Sequence, residues 1–393
     1  MSELLESRWQ DTKKALMEGL NGNKAKIMET TLENTRQYLS ESATAGATSA
    51  GNVATLNRVI LPVIRRVMPT VIANELVGVQ PMTGPVGQIH TLRVRYADSV
   101  DAGTGTSTTA GEEALSPFKI AEAYSGNESD PASAAATSSL EGQAGNRLSI
   151  QILKQTVEAK TRKLSARWTF ESAQDAQAQH GIDVEAEVMA ALAQEITAEI
   201  DQEVLASLNN LAGAASETYD QTAVSGTATF VGDEHAALAV QINRVSNLIA
   251  QRTRRGAGNW AVVSPFALTI LQSATTSAFA RTTEGTFEAP TNTKMVGTLN
   301  NAMNVYVNTY ASDSAPVLVG YKGSSESDAA AFYCPYIPLM SSGVVLDPST
   351  FEPVVSFMTR YGYVELSNTA SSLGNAADYL GKVAISNGDV SFS

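Results

Sequence analysis

Between Thr161 and Phe170 the chain alternates in steps of two. Leu164, Ala166, Trp168 and Phe170 fall on one side, Lys163, Ser165, Arg167 and Thr169 on the other. That period sets an apolar and a polar row on opposite faces of a β-strand. A short break, AQDAQAQHG, comes next. From Asp183 the period changes. Val188, Leu192, Ile196, Ile200, Val204 and Leu208 recur at every fourth residue with no Gly or Pro between them, and Ala, Glu, Gln and Leu fill the gaps. The spacing predicts a helix over 183–211, with Asp183 as N-cap and Glu185 and Glu187 in the favourable first turn. At 1.5 Å per residue it is about 43 Å long, a spine for the rest of the chain.

Upstream, Leu5, Trp9, Leu16 and Leu20 make one apolar stripe, Asn21-Gly22-Asn23 breaks it, and Met28, Leu32, Thr35 and Leu39 make a second. Such narrow stripes need something to cover them, because short isolated helices are marginal. SESATAGATSAG, residues 40–51, has the composition of a flexible linker. The lead segment is therefore expected to be a detachable or mobile arm. The apolar run from Asn52 is helical in pattern but interrupted by Pro62 and Pro69, which predicts short kinked pieces.

Leu92, Val94 and Tyr96 alternate with Arg93 and Arg95, and strand character returns in LSIQILKQTVEAKTRK. The small, polar stretch 98–146 lies between them. Two strands flanking a long polar tip describe an extended two-stranded loop that reaches outward. Past the spine, strand content is expected at Thr227–Val231. Asp233 then reads as the N-cap of a helix through Leu238, Ile242, Val245 and Ile249, ended by Arg252, Arg254, Arg255 and Gly256. NWAVVSPFALTILQ reads as strand, Ser264-Pro265 cap and helix. A Thr/Ser-rich loop over 273–294 and strands near 305–307, 316–321 and 331–336 complete an α+β lobe. In FEPVVSFMTRYGYVEL, Val355, Phe357, Thr359, Tyr361 and Tyr363 share a strand face, and the small, polar tail after Asn368 is expected to be loosely held.

Composition narrows the function. The 393 residues carry 43% hydrophobic and only 17% charged positions, with a net charge of −13. No basic surface dominates, which argues against a sequence-reading nucleic-acid binder. Cys334 is the single cysteine, so no intrachain disulfide exists, and its setting AAAFYCPYIP predicts a buried, inert thiol. The start MSELLESRWQDTKK has no apolar signal core, and no run of about 18 apolar residues occurs; a soluble protein made in the cytoplasm is expected.

Chemistry-bearing patterns are sparse. His90, His180 and His235 lie in different elements without ligand neighbours at metal spacing. DAGTGTSTTAG lacks both the Lys-Ser/Thr and the βαβ setting of a phosphate cradle, and there is no G-x-S-x-G elbow. No cofactor is expected. Charge offers more. The spine carries Asp183, Glu185, Glu187, Glu195, Glu199, Asp201 and Glu203, while the preceding strand carries Arg162, Lys163 and Arg167. Either these are two solvated faces, or they steer neighbouring subunits together, with Arg162, Lys163, Arg167, Glu195, Glu199 and Glu203 as candidate inter-subunit contacts. Glu195/Glu199 and Glu199/Glu203 repel at i,i+4 unless cations lie opposite.

Four separated segments resemble the major capsid proteins of T-even-type tailed bacteriophages, which have the HK97-like fold. They are LPVIRRVMPTVIANELVGVQPMTGPVGQIHTLRVRYA, TVEAKTRKLSARWTFESAQDAQAQHGIDVEAEVMAALAQEI, RRGAGNWAVVS, and VGYKGSSESDAAAFYCPYIPL with DPSTFEPVVSFMTRYGY. The resemblance implies an α+β chain of six successive parts. An N-terminal arm spans 1–60, an arm-to-core helical segment 61–84 and an E-loop 85–170. A P-domain holding the spine helix spans 171–232, an A-domain 233–345, and a P-domain return strand with the C-terminal tail 346–393. It further implies a structural, non-enzymatic subunit that forms hexamers, and pentamers from the same or a related chain. These close into an icosahedral shell around double-stranded DNA, without a membrane and with scaffold, portal, vertex or decoration proteins as partners. Residues 98–146 are too few and too small for the separate insertion domain of some relatives. Family members often lose an N-terminal region after Leu/Ile-x-Glu, and Glu41-Ser42 is the candidate bond. A pentameric vertex paralogue is the near alternative, and a surface-layer or fibre subunit the distant one.

Overall fold

A computed structural model of the protein describes residues 13–14, 25–26, 28–34, 71–101, 107–112, 114, 123–126, 133–180, 183–220, 231–274, 279–281, 294–325, 328–366 and 376–386. The linker 40–51, the pieces around Pro62 and Pro69, the Glu41-Ser42 bond and most of the strand expected at 227–231 lie outside them. The chain forms two compact units, each gathered from three stretches. Met1–Gly87, Val157–Ser207 and Ala331–Val364 make the first; Gln88–Thr156, Leu208–Ala330 and Glu365–Ser393 make the second.

A five-stranded sheet organises the first unit. β11 (Ala331–Ser341) is an almost unbroken apolar run in which every residue but Tyr336 is buried, as a central strand requires. On one side β1 (Gly78–Val79) runs parallel to it, Gly78 opposite Phe332. On the other lies β13 (Pro353–Glu365), whose Val355, Phe357, Thr359 and Tyr361 are buried while Ser356, Met358 and Arg360 are half-buried, matching the alternation in the sequence. β12 (Val345–Leu346) and β4 (Lys160–Arg167) pair antiparallel with β13, the latter from Arg167 opposite Val354 to Lys160 opposite Tyr361. The strand expected at 331–336 thus belongs to this sheet and not to the α+β lobe. Local periodicity reveals a strand but not the sheet it joins.

Two helices come after β4. The break AQDAQAQHG proves to be helical: α1 runs Phe170–His180. Its residues are largely exposed, so no apolar period marks it, only the helix propensity of Ala and Gln. α2, the spine, runs Val184–Leu211. Asp183 Oδ1 accepts the Glu185 amide at 3.1 Å, the expected N-cap. Leu192, Ile196, Ile200, Val204 and Leu208 are buried, and so is the adjacent row Ala193, Thr197, Asp201 and Leu205.

The lead segment departs from expectation. Residues 28–34 are helical, and Met28, Thr31 and Leu32 are fully buried within their own chain. Burying Met28 and Leu32 contributes about 1.5–3 kcal/mol each. The Asn34 side-chain amide donates to the carbonyls of Met82 at 2.8 Å and Tyr336 at 3.0 Å. Lys13 Nζ lies 3.0 Å from Glu29 and 2.9 Å from Glu33. This part of the segment is packed against its own chain.

The second unit holds a seven-stranded mixed sheet in the order β5-β14-β10-β6-β9-β8-β7. Its strands are β5 (Glu217–Asp220), β6 (Trp260–Val263), β7 (Phe279–Arg281), β8 (Lys294–Leu299), β9 (Met303–Val307), β10 (Val317–Gly320) and β14 (Leu380–Ser386). Helices α3 (Val231–Thr253) and α4 (Pro265–Ser273) bury Leu238, Ile242, Val245, Ile249, Ile270 and Leu271 in one core with Val263, Val305 and Val319. Ser264 caps α4 by accepting the Ala267 amide, as its sequence predicted. α3 begins at Val231, so Asp233 is inside it, and Arg254, not Gly256, takes the left-handed position after its end (φ 50°). The described part of the tail, 376–386, is not loose. β14 sits between β5 and β10, with Val383 opposite both Glu217 and Val317. β7 likewise lies inside the expected 273–294 loop.

β2 (Val86–Tyr96) and β3 (Leu148–Glu158) form a separate two-stranded ribbon. Ala97 donates to Arg147 and Ala159 to Pro85, so the strands run antiparallel. The tip carries a small cluster of its own: Tyr96 and Tyr124 rings 4.5 Å apart, with Val100 and Ala123 buried beside them.

Candidate functional site

The charge set divides by strand parity. Arg162 shares the inward parity of Leu164 and Ala166, two residues along β4 from Leu164. Its guanidinium lies 2.6 Å from Glu199 and 2.6 Å from Glu203 on the spine, and its Nε donates to Tyr361 Oη at 2.6 Å. Tyr361 Oη in turn donates to Glu203. Burial alone would lower the Arg162 pKa, but the bonds to Glu203 and Tyr361 outweigh it and raise it. Burial alone would likewise raise Glu203, and Arg162 holds it below the usual carboxylate range instead. The cation that relieves the Glu199/Glu203 repulsion is therefore in the same chain. Lys163, Arg167 and Glu195 face outward and are exposed; Arg167 lies 3.9 Å from Glu352. Lys163 borders an open groove of about 510 Å³ formed with Ser165, Met340, Ser341, Ser356 and Met358.

Asp201 is not on the acidic face where the sequence count put it. It is 2% exposed. Its Oδ1 accepts the Ile72 amide at 2.8 Å, and burial pushes its carboxyl up to about 7. The positional signal was its place between Ile200 and Val204, which aims residue 201 inward. His235 was also missed as a polar core group. Its Nδ1 is 2.5 Å from Ser273 Oγ, which itself donates to the Thr269 carbonyl at 2.9 Å. Nδ1 then carries the proton, Nε2 is buried without a partner, and burial lowers the His235 pKa. His90 is in β2, His180 ends α1 and His235 is in α3. Among the described residues no group of three His, Cys, Asp or Glu is placed to hold a metal. Cys334 is buried, its thiol pushed up to about 11 by that burial.

Two motif segments meet at one end of the second unit's sheet. The Asn259 side chain donates to the Lys322 carbonyl at 2.6 Å and accepts its amide at 3.0 Å. Arg255 pairs with Asp328 at 2.8 Å. Gly320 lies against the Trp260 ring, and a Cβ on Gly256 would come within 2.6 Å of Tyr321, so both positions demand glycine. RRGAGNW and VGYKG thus interlock two loops; their role is structural.

Exposed apolar residues gather in two places. On the ribbon, Leu148, Ile150 and Ile152 point one way along β3 and are 53%, 69% and 66% exposed. In the first unit, the loop before β13 presents Phe351, 73% exposed at φ 59°, with the Phe170 ring 6.1 Å away and Val344, Val345 and Leu346 nearby in sequence and also exposed. The loop is built by Asp347, which accepts the Phe351 amide through its carbonyl at 2.8 Å and the Ser349 amide through its side chain at 2.9 Å. A bulky residue held in the left-handed region while exposed points to a job outside its own core.

Residues 53–385 match the family of the major capsid protein Gp23. This chain belongs to the Gp23 major capsid protein family. The major capsid proteins of Enterobacteria phages T6 and T4 are 31% and 30% identical to it, over 83% of this chain and 81% and 78% of theirs. That of Vibrio phage KVP40 is 29% identical over 85% of this chain and 81% of its own. Among solved structures, a chain from the capsid of Myoviridae phage XM1 aligns with a TM-score of 0.46 at 11% identity, covering 80% of this chain and 92% of that one. As a Gp23 major capsid protein, the chain is a structural subunit of the shell of a tailed-phage virion. The Gp23 match starts after the lead helix that carries Met28, Leu32 and Asn34. Among the described residues no helix is long and apolar enough to cross a membrane.

Proposed function

We propose that this subunit self-assembles into hexameric capsomers, with pentamers from the same or a related chain, closing into an icosahedral shell around double-stranded DNA. The observation that carries the reading is the bare ribbon. A two-stranded sheet is marginal by itself in water, and an apolar row left open along it marks a docking surface. Leu148, Ile150 and Ile152 supply that row, and a second copy of the chain is the partner that a shell subunit always meets. In this assignment the E-loop of an HK97-like fold is the ribbon of β2 and β3 with its tip, shorter than the expected 85–170 because β4 is paired with β13, and it lies over a neighbour. The spine helix with β13 belongs to the P-domain, and the seven-stranded sheet to the A-domain. The role is structural, without catalytic residues or cofactor, and the net charge of −13 keeps the inner wall from gripping packaged DNA.

The double substitution Ile150→Asp, Ile152→Asp tests this reading. It touches no buried residue of either core, so folded subunits are expected, with unchanged far-UV dichroism and no scattering from assembled particles. Assembly at the wild-type rate contradicts it.

A further inference from the structure

We propose that residues 71–77 form a proton-sensitive strap, closed on the spine while Asp201 carries a proton and released from it when that proton leaves. The strap is fastened at two unequal ends. Downstream it is zipped to the central strand β11: Gly78 lies opposite Phe332, Val79 opposite Tyr333, and the Gln80 and Met82 amides donate to the Tyr333 and Pro335 carbonyls at 3.1 and 2.9 Å. Upstream the Ile72 amide crosses to the spine and donates to Asp201 Oδ1 at 2.8 Å. One helical turn, Ala73–Leu76, joins the two ends, and Val71, Ile72, Ala73, Leu76 and Val77 are buried. The Asp201 carboxyl is buried too. Burial opposes its charge, and among the described residues the Ile72 amide is the group that favours it. The groups around it bring no counter-charge. Tyr333 from β11 is buried, and burial first, then the charges of Tyr361 and Asp201, keep its hydroxyl protonated. Tyr361 from β13 has its ring 5.4 Å from that of Tyr333, and it raises the Tyr333 hydroxyl's pKa further. Glu203, two residues along the spine, has the same sign as Asp201. The Arg162 guanidinium from β4 is committed to Glu199, Glu203 and Tyr361, and Glu75 on the strap is exposed. An ionised Asp201 regains water by letting go of Ile72, while the Gly78 end stays zipped. With the strap closed the carboxyl titrates at about 7, and with it open near the ordinary 3.8. Opening therefore becomes easier as pH rises between those values and gains nothing further above them.

The test is amide hydrogen exchange of the full chain, kept as unassembled subunits and read by mass spectrometry, with each rate divided by the intrinsic rate at that pH. No contact between subunits enters the readout, so its outcome is separate from that of shell formation. Protection of the Ile72–Val77 amides is expected to fall roughly tenfold per pH unit between about pH 5 and about pH 6.5 and to level off above about pH 7.5. The spine amides of Leu192–Leu208 are expected to keep theirs. In Asp201→Asn, protection of Ile72–Val77 is expected to be independent of pH. A flat wild-type profile over the strap overturns the proposal, and so does an equal fall in Asp201→Asn. A fall shared by strap and spine also overturns it, because the whole unit is then opening. If Asp201→Asn does not fold, the wild-type profile of strap against spine decides by itself.

Discussion

Arg162 and Lys163 are neighbours in sequence with opposite positions in the sheet, and their mutants should differ accordingly. Arg162→Ala strips the cation from two spine carboxylates and a tyrosine hydroxyl in a partly buried setting. A loss of about 2 kcal/mol in urea unfolding is expected. Lys163→Ala is expected to stay within about 0.5 kcal/mol. Parity held the distinction, since Arg162 falls on the Leu164 side of the β4 alternation, but grouping the three cations as one set passed over it. Asp201 was less legible, because a count of acidic residues along the spine takes no account of which way each one points. Its carboxyl sits at about 7 against an ordinary aspartate value of 3.8. The folded chain therefore keeps a proton that the unfolded chain releases between those values, so stability falls as pH rises through that window and the cost is complete above it. Asp201→Asn keeps an acceptor for the Ile72 amide and removes the charge. It is expected to be more stable than wild type by about 2 kcal/mol or more at pH 8, with the gain shrinking toward pH 5. A gain that does not change with pH would contradict the assignment.

Elements with a strong period were readable and those without one were not. The spine announces itself through its apolar row and the Asp183 cap, and β13 through its alternating buried face. α1 has no apolar row to show, since its residues face water. β14, LGKVAIS, is too short and small-residued to stand out, and it became a central strand because β5 and β10 lie on either side of it. The lead helix showed its stripe but not the carbonyls that its Asn34 amide meets, which lie far along the chain. The loop before β13 gives a prediction at this scale. Phe351 is strained by its positive φ and covered by little, so Phe351→Gly relieves strain and removes exposed ring area. The subunit is expected to melt at the same temperature or higher while its critical concentration for assembly rises. A lower melting temperature with unchanged assembly would mean that the ring serves its own fold.

At the scale of the whole molecule, the chain threads back and forth between its two units, and this is the feature that local patterns conceal. Residues 331–341 come after most strands of the seven-stranded sheet in sequence yet lie inside the five-stranded one, and 380–386 return to the seven-stranded sheet. Long-range pairings of that kind leave no periodic mark. Family resemblance was legible in motifs that interlock loops, RRGAGNW and VGYKG, where Gly256 and Gly320 sit against aromatic rings and leave no room for a Cβ. The central claim is that apolar surface left bare on the ribbon is completed by other copies of the same chain. Electron cryomicroscopy of the purified, expressed protein tests it most directly. Closed shells, tubes or flat hexagonal sheets, with Leu148, Ile150 and Ile152 buried against a neighbouring subunit, are the predicted result; a monomer that persists at high concentration with that row open to solvent would contradict it.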